Sequence, residues 1–170
     1  MKELLIVVDM QNDFLTGPLG NAQTVACIPF VKKEIARARA FNVEVVFTRD
    51  THASNYTSTQ EGKNLPVVHC IKGSDGWKIA DGLYRDGEKI FDKPTFGSLE
   101  LAQYVAKGKY GKVTLVGVCT DICVVSNALL IKAYAPETEV CVKASACAGV
   151  SEESHESAIK TMVSCQVKIV

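Results

Sequence analysis

Residues 4–9 read Leu-Leu-Ile-Val-Val-Asp, an unbroken apolar run that stops at the acidic residue Asp9. A continuous apolar run of this length is typical of a strand that is covered on both faces, as strands in parallel sheets are. The stretch therefore predicts a buried first strand with a carboxylate at its C-terminal end.

Short β-rich runs alternate with helical patterns along the rest of the chain. Further strands are predicted at 43–48, 89–91, 113–118, 139–143 and 166–170. Helices are predicted after the turn-rich residues 17–21 (apolar at Ile28, Val31, Ile35 and Ala38), at 98–107 and 121–133, and after a cap at Ser151. This alternation predicts a three-layer α/β fold in which helices cover both faces of a six-stranded parallel sheet.

The composition excludes several classes of protein. The chain has 170 residues, so we expect one domain over 1–170. Its 19 basic and 19 acidic side chains give no net charge, which argues against a nucleic-acid partner, and no apolar run is long enough for a membrane span. With no recognisable signal peptide and an odd count of seven cysteines, reduced thiols and a cytoplasmic location are expected.

One connection is much longer than the others. Residues 50–87 are rich in Thr, Ser, Asn and Gly and show no sustained period. A long loop without regular structure inside a compact domain is usually functional.

Polar and reactive side chains follow the strands at the point where each strand ends. Asp9 follows the first strand, Asp50 and His52 the second, Lys93 the third, and Cys123 the fourth. Ligands of open parallel sheets bind outside the carboxyl ends of the strands. The pattern therefore predicts a functional site at this edge.

Cys123 falls in the first turn of a predicted helix, with Asp121 as its expected cap. Free N–H groups and the helix dipole favour a thiolate there and can hold an oxyanion. A nearby lysine would lower the thiol pKa, and a carboxylate could carry its proton. The structural alternative is that Cys123 is a buried reduced cysteine, Asp9 a turn residue and Lys93 a solvated charge.

The second group of candidate residues lies in the long connection. Asp50 and His52, two residues apart in extended backbone, point to the same side, and Glu61 and His69 follow. Imidazole nitrogen and carboxylate oxygen together suit zinc, manganese or iron(II). The alternative is that these are ordinary solvated loop residues. His155 is expected at the surface with no role.

Two motifs point to a family. Residues 8–14, Val-Asp-Met-Gln-Asn-Asp-Phe, resemble the opening D-x-Q-N-D-F motif of the isochorismatase-like cysteine hydrolases, and residues 117–124 resemble their nucleophile segment. The resemblance extends over the whole chain. It implies the strand order 3-2-1-4-5-6 and a catalytic triad of Asp9, Lys93 and Cys123.

The resemblance also implies the remaining parts of a hydrolase site. The family's oxyanion hole corresponds to the backbone N–H groups of Cys119 and Cys123, with a cis peptide bond between Val118 and Cys119. Phe14 and Phe96 are candidates for contact with a substrate ring, although either could be an ordinary core residue.

Within the family, the D-x-H and H-C segments are similar to those of the nicotinamidase/pyrazinamidase branch. This implies metal ligation by Asp50, His52 and His69, with Glu61 as the fourth ligand; Thr57 and Ser58 are the other candidates nearby. The implied cofactor is a divalent metal, zinc first, with manganese or iron as alternatives.

The implied reaction is hydrolysis of nicotinamide or pyrazinamide to the acid and ammonia through a thioester, so the expected partner is a small carboxamide. A homo-oligomer is one alternative for the assembly. Competing hypotheses are a metal-free amide or carbamoyl hydrolase with the same triad, a thiol redox protein built on Cys123, and a zinc-stabilised interaction domain.

Overall fold

A single six-stranded sheet forms the centre of the molecule in a computed structural model that describes residues 1–170. All of its strand pairs are parallel, and the strand order is β3-β2-β1-β4-β5-β6. The predicted fold class and the implied strand order are therefore confirmed. The strands are β1 (Glu3–Val8), β2 (Glu44–Asp50), β3 (Lys89–Lys93), β4 (Lys112–Val118), β5 (Glu139–Ala148) and β6 (Lys168–Ile169).

Helices cover both faces of the sheet. They are α1 (Asn12–Leu15), α2 (Ala22–Ala40), α3 (Gln60–Asn64), α4 (Leu99–Gly108), α5 (Val125–Tyr134) and α6 (Glu152–Ser164). Alternate residues of β1 face opposite layers: Leu4 and Ile6 join the core under α4, α5 and α6, whereas Leu5 and Val7 join the core under α2. No helix combines the length and apolar character needed to cross a bilayer.

Three local features differ from the sequence prediction. The strand predicted at 139–143 continues to Ala148, because a shift in register against β4 after Leu115 lets the two strands pair again at Gly117. The predicted strand at 166–170 shrinks to Lys168–Ile169. The connection over 50–87 is not structureless, since it contains a 3-10 turn at Tyr56–Ser58 and the short helix α3.

The crevice for a site arises between β1 and β4. The chain leaves β1 toward β2 on one side and leaves β4 toward β5 on the other, so the connections diverge at this point. The two backbones approach closely at Gly117, which has φ +115°, and a Cβ atom there would lie 2.1 Å from the carbonyl oxygen of Val8. Only glycine fits this position.

Candidate active site

Asp9 stands at the end of β1 and is fully buried. Its backbone turns out of the strand with φ +47°, an uncommon conformation for a residue other than glycine. Thr48 of the neighbouring strand β2 holds it twice: the Thr48 hydroxyl donates to Asp9 Oδ1 at 2.6 Å and accepts the Asp9 N–H at 3.2 Å. The carboxylate direction is therefore fixed.

Lys93, the last residue of β3, brings the predicted triad together. Its buried Nζ lies 2.6 Å from Asp9 Oδ2 and 3.5 Å from Cys123 Sγ, and it donates to the Thr95 carbonyl at 3.0 Å. The same Nζ is 3.6 Å from Asp50 Oδ1. One ammonium group thus touches both groups of candidate residues predicted from the sequence.

Burial dominates the electrostatics of the triad. Burial raises the pKa of Asp9, against the opposing charge of Lys93. Burial alone would lower the pKa of Lys93, but the negative charge of Asp9 raises it above its ordinary value. The pKa of the Cys123 thiol is raised well above its ordinary value by burial and then by Asp9. The expectation of a lowered thiol pKa is therefore wrong, because it considered Lys93 and the helix dipole without the desolvation.

The nucleophile turn also differs from the predicted helix start. Residues Thr120–Val124 form a wider π-type turn before α5, and the side chain of Asp121 caps nothing; its Oδ1 accepts the N–H of Val150 instead. The peptide bond between Val118 and Cys119 is cis, as the resemblance implies. The N–H of Cys119 donates to no backbone carbonyl, so it is free to bind an oxygen.

The four predicted metal ligands converge in one place. Asp50, His52, Glu61 and His69 each offer a ligand atom, and these atoms all lie within 4.8 Å of one another. His52 Nε2 is 2.8 Å from Asp50 Oδ2 and 3.6 Å from Glu61 Oε1, and His69 Nε2 is 3.4 Å from Asp50 Oδ2. The alternative residues Thr57 and Ser58 are exposed.

The donor chemistry of this group fits a divalent cation. The Nδ1 atom of His69 faces the Val67 carbonyl at 2.7 Å and must donate to it, so in the neutral ring Nε2 carries a lone pair toward Asp50. Burial alone would raise the pKa of Asp50, but hydrogen bonds from His52 and from His69 in its protonated form lower it below its ordinary range. Imidazole nitrogen and carboxylate oxygen atoms that carry lone pairs therefore face one another, and a divalent cation between them would be stabilised by all of them.

Aromatic rings enclose the ligand group. The fully buried Tyr56 packs on both imidazoles, with centroids 4.6 Å from His52 and 4.9 Å from His69. Phe14 is also buried, with its ring centroid 5.6 Å from His69. Phe96, in contrast, is 43% exposed on the loop after Lys93. Of the two residues predicted to contact a substrate ring, only Phe14 packs against the ligand group.

Side chains outside the predicted set hold the long connection in shape. Asp13 Oδ2 accepts the N–H of Cys70 at 2.7 Å, and the carbonyl of Cys70 accepts the N–H of His52 at 3.0 Å. The hydroxyl of Thr59 caps α3, which puts Glu61 in the first turn of that helix. Sequence reasoning missed Asp13 and Thr48. Asp13 lies in the D-x-Q-N-D-F motif, which was the available signal, whereas nothing marked Thr48.

The third histidine was also misjudged. His155 is half-buried rather than a plain surface residue, and its Nδ1 lies 2.8 Å from the hydroxyl oxygen of Thr120, at the start of the nucleophile turn. The periodicity of α6 could not reveal this contact, because it depends on how α6 docks on the turn.

Comparison with known proteins agrees with these features. The chain is 28% identical over 177 residues to an uncharacterized isochorismatase family protein, PncA, of Bacillus subtilis, a match covering 94% of this chain and 93% of that protein. It is 26% identical over 183 residues to the nicotinamidase/pyrazinamidase of Mycobacterium tuberculosis, covering 98% and 97%.

A solved structure and a family model complete the comparison. The pyrazinamidase of Pyrococcus horikoshii, crystallised in complex with zinc, superposes with a TM-score of 0.89 at 29% identity, covering 100% of this chain and 99% of that one. The model of the isochorismatase domain matches residues 3–170. The chain thus belongs to the isochorismatase domain family.

Proposed function

We propose that this protein is a metal-assisted amidohydrolase that converts a heteroaromatic carboxamide, nicotinamide or pyrazinamide, to the carboxylic acid and ammonia. The observation that carries the proposal is the position of Lys93 Nζ, 2.6 Å from Asp9, 3.5 Å from Cys123 and 3.6 Å from Asp50. The nucleophile, the residue that carries its proton and the group of candidate metal ligands are therefore all in contact with one buried ammonium group. The names of the Mycobacterium tuberculosis and Pyrococcus horikoshii relatives support the choice of substrate.

The first step is formation of the thiolate. Because the pKa of Cys123 is raised well above its ordinary value, the sulfur rests as a thiol and needs a base. Asp9, whose own pKa is raised by burial, takes the thiol proton, and the Lys93 ammonium stabilises the negative sulfur. The sulfur then attacks the amide carbon, and the carbonyl electron pair moves to the oxygen.

The second step expels ammonia. The backbone N–H groups of Cys119 and Cys123 hold the oxyanion; a single donor of this kind contributes roughly 10²–10³-fold to the rate of related acyl transfers. Asp9 returns its proton to the amide nitrogen, the carbon–nitrogen bond breaks, and ammonia leaves. The acyl group remains on Cys123 as a thioester.

The third step regenerates the enzyme. Asp9 takes a proton from water while the water oxygen attacks the thioester carbon. The carbon–sulfur bond breaks, the acid is released, and the proton returns to the Cys123 sulfur. The sum is one amide and one water giving one acid and one ammonia.

The ligand group orients the substrate in this proposal. Asp50, His52, Glu61 and His69 would hold a divalent cation, for which zinc, manganese and iron are candidates. When bound, the cation would supply a coordination position for a ring nitrogen of the substrate, and orientation of this kind contributes up to about 7–11 kcal/mol. Phe14, packed on His69, contacts the ring, with Phe96 as the second predicted contact.

Ammonia release from nicotinamide tests the proposal. We expect turnover by the native protein, loss after treatment with a chelator, and recovery on addition of zinc, manganese or iron(II). Benzamide, which has carbon in place of the ring nitrogen, is the matched substrate control and is expected to react much more slowly. A native protein that contains no metal and hydrolyses neither nicotinamide nor pyrazinamide contradicts the proposal.

The same assay separates the alternatives. A metal-free amide or carbamoyl hydrolase with this triad would turn over another amide with no response to chelator. A thiol redox protein would release no ammonia and would form a disulfide at Cys123 on exposure to peroxide.

A further inference from the structure

Gln11 is a fully buried polar side chain that the proposed mechanism does not use. Its carboxamide makes three hydrogen bonds. The Nε2 group donates to the carbonyl of Asp50 at 2.8 Å and to the carbonyl of Trp77 at 2.9 Å, while Oε1 accepts the N–H of Asp50 at 2.7 Å. Both backbone polar groups of one residue, Asp50, are thus bound by one side chain.

This arrangement replaces a missing strand. The strand β1 pairs with β2 only as far as Val7 opposite Phe47, and the chain turns away at Asp9. Asp50, the last residue of β2, therefore has no backbone neighbour on that side. The Gln11 carboxamide has the donor and acceptor of a peptide group and completes the ladder there.

The other side of Asp50 is held by the sheet itself. Asp50 pairs with Lys93 in the register of β2 and β3, and the N–H of Thr51 donates to the Lys93 carbonyl at 2.9 Å. With neighbours on both sides, the direction from the Asp50 Cα to its Cβ is fixed. From this fixed backbone the Asp50 carboxylate reaches His52 at 2.8 Å and His69 at 3.4 Å.

The third hydrogen bond extends the same control into the long connection. The Trp77 carbonyl, which accepts from Gln11, belongs to a residue whose indole N–H donates to the Thr51 hydroxyl at 2.8 Å. The guanidinium of Arg49 stacks on the same indole at 3.4 Å. Gln11 is therefore hydrogen-bonded both to the end of β2 and to the part of the long connection that contains Trp77.

We propose that Gln11 is a positioning residue that aims the Asp50 carboxylate at His52, Glu61 and His69 and thereby sets the cation affinity of this ligand group. The inference rests on the part of the proposed function in which these four residues bind a divalent cation. Its consequence is that the segment carrying Asp9 also controls the ligand group, so a single sequence motif serves both parts of the site.

The test compares two buried amides. Gln11→Met keeps the volume of the side chain and removes all three hydrogen bonds. Gln11→Glu is the milder variant in the protonated form that burial favours, since it keeps an acceptor for the Asp50 N–H and one O–H donor for the Asp50 carbonyl but leaves the Trp77 carbonyl without a donor. The matched control is Asn127→Leu, because Asn127 is also fully buried and also makes three hydrogen bonds, to Ser98, Phe96 and Cys123 on the triad side.

Three quantities are measured on each full-length protein. They are the zinc dissociation constant by competition with a chromophoric chelator, the Tm of the metal-free protein, and the rate of Cys123 alkylation by iodoacetamide. We expect Gln11→Met to weaken zinc binding by about 10–100-fold, the usual effect of losing a group that orients a ligand. Gln11→Glu is expected to weaken it less, and Asn127→Leu to leave it within about threefold of the parent protein.

The outcomes are distinguishable. Zinc binding by both Gln11 variants as tight as that of the parent overturns the inference, as does an equal loss in Asn127→Leu, which would indicate general loosening. A loss confined to the Gln11 variants while metal-free Gln11→Glu keeps the parent's Tm and alkylation rate supports it. If the parent itself binds no zinc, the proposed function fails in its metal requirement, and the inference about Gln11, which rests on that requirement, is overturned with it.

Discussion

Asp9 and Lys93 stand at the ends of sheet strands and Cys123 just beyond another, whereas His52, Glu61 and His69 all come from the connection between β2 and β3. Backbone ladders hold the strands that carry the first group, on both sides for β1 and β4 and on one side for the edge strand β3. The second group depends on isolated contacts: backbone hydrogen bonds link His52 to the segment after His69, and side chains add contacts such as Asp13 with Cys70 and Thr59 with the start of α3.

The triad and the ligand group are therefore expected to respond differently to substitution of nearby side chains. Residues at the ends of parallel strands are brought together by the topology, so their proximity survives the loss of any one side chain. Residues of a long connection depend on individual hydrogen bonds, and a buried group left without its partner costs about 1–3 kcal/mol. We therefore expect cation binding to be the more easily damaged property.

The largest effect is expected from Cys123→Ala. Loss of the nucleophile removes the covalent route, so ammonia release is expected to fall by at least about 10⁴-fold. Zinc affinity is expected to stay at the parent value, because the sulfur is not among the four ligand residues. Cys119→Ala is the matched control, since it removes a thiol and keeps the backbone N–H. Substantial turnover by Cys123→Ala would refute its assignment as nucleophile.

His69→Ala is expected to have the second largest effect, on the other part of the site. Loss of one of four ligands is expected to weaken zinc binding by more than about 100-fold, and to raise KM for nicotinamide. Alkylation of Cys123 is expected to continue at the parent rate. His155→Ala is the control among the three histidines of the chain, and zinc loss in that variant would contradict the assigned ligand set.

Substitution of Asp13 gives a graded test of the connection. Asp13→Ala leaves the Cys70 N–H without its acceptor and frees the backbone next to His69, so zinc affinity is expected to fall by about tenfold. Asp13→Asn keeps an acceptor oxygen and is expected to cost less. Equal losses in the two variants would mean that the charge of Asp13 matters, and not its hydrogen bond.

Sequence reasoning was more successful for the sheet than for the connection. Short apolar and β-rich runs predicted the strands. Because parallel strands end at the same edge of a sheet, Asp9, Lys93 and Cys123 were then predicted to be neighbours. The sequence placed Glu61 among the candidate ligands with His52, but only the family resemblance made it the fourth ligand, because its position depends on α3 and its cap at Thr59. The raised pKa of Cys123 was missed because desolvation depends on burial, which no local pattern reports.

The smallest effect is expected from Thr48→Val, which acts on the acid–base behaviour of the triad. The Thr48 hydroxyl donates to Asp9 Oδ1 and so stabilises the charged carboxylate. Without it, the pKa of Asp9, already raised by burial, rises further. Only an ionised Asp9 can accept the thiol proton. The acid limb of the pH profile, where kcat/KM falls as Asp9 becomes protonated, is therefore expected to move to higher pH, while the plateau value changes little.

The control is Thr138→Val, because Thr138 is another buried threonine, hydrogen-bonded to the Tyr110 carbonyl away from the triad. Its pH profile is expected to match that of the parent. A shift of the acid limb to lower pH in Thr48→Val would mean that the limb reports a group other than Asp9. An equal fall of kcat/KM at every pH would mean that Thr48 maintains the geometry of the site, because a change confined to the titration of Asp9 cannot lower the plateau.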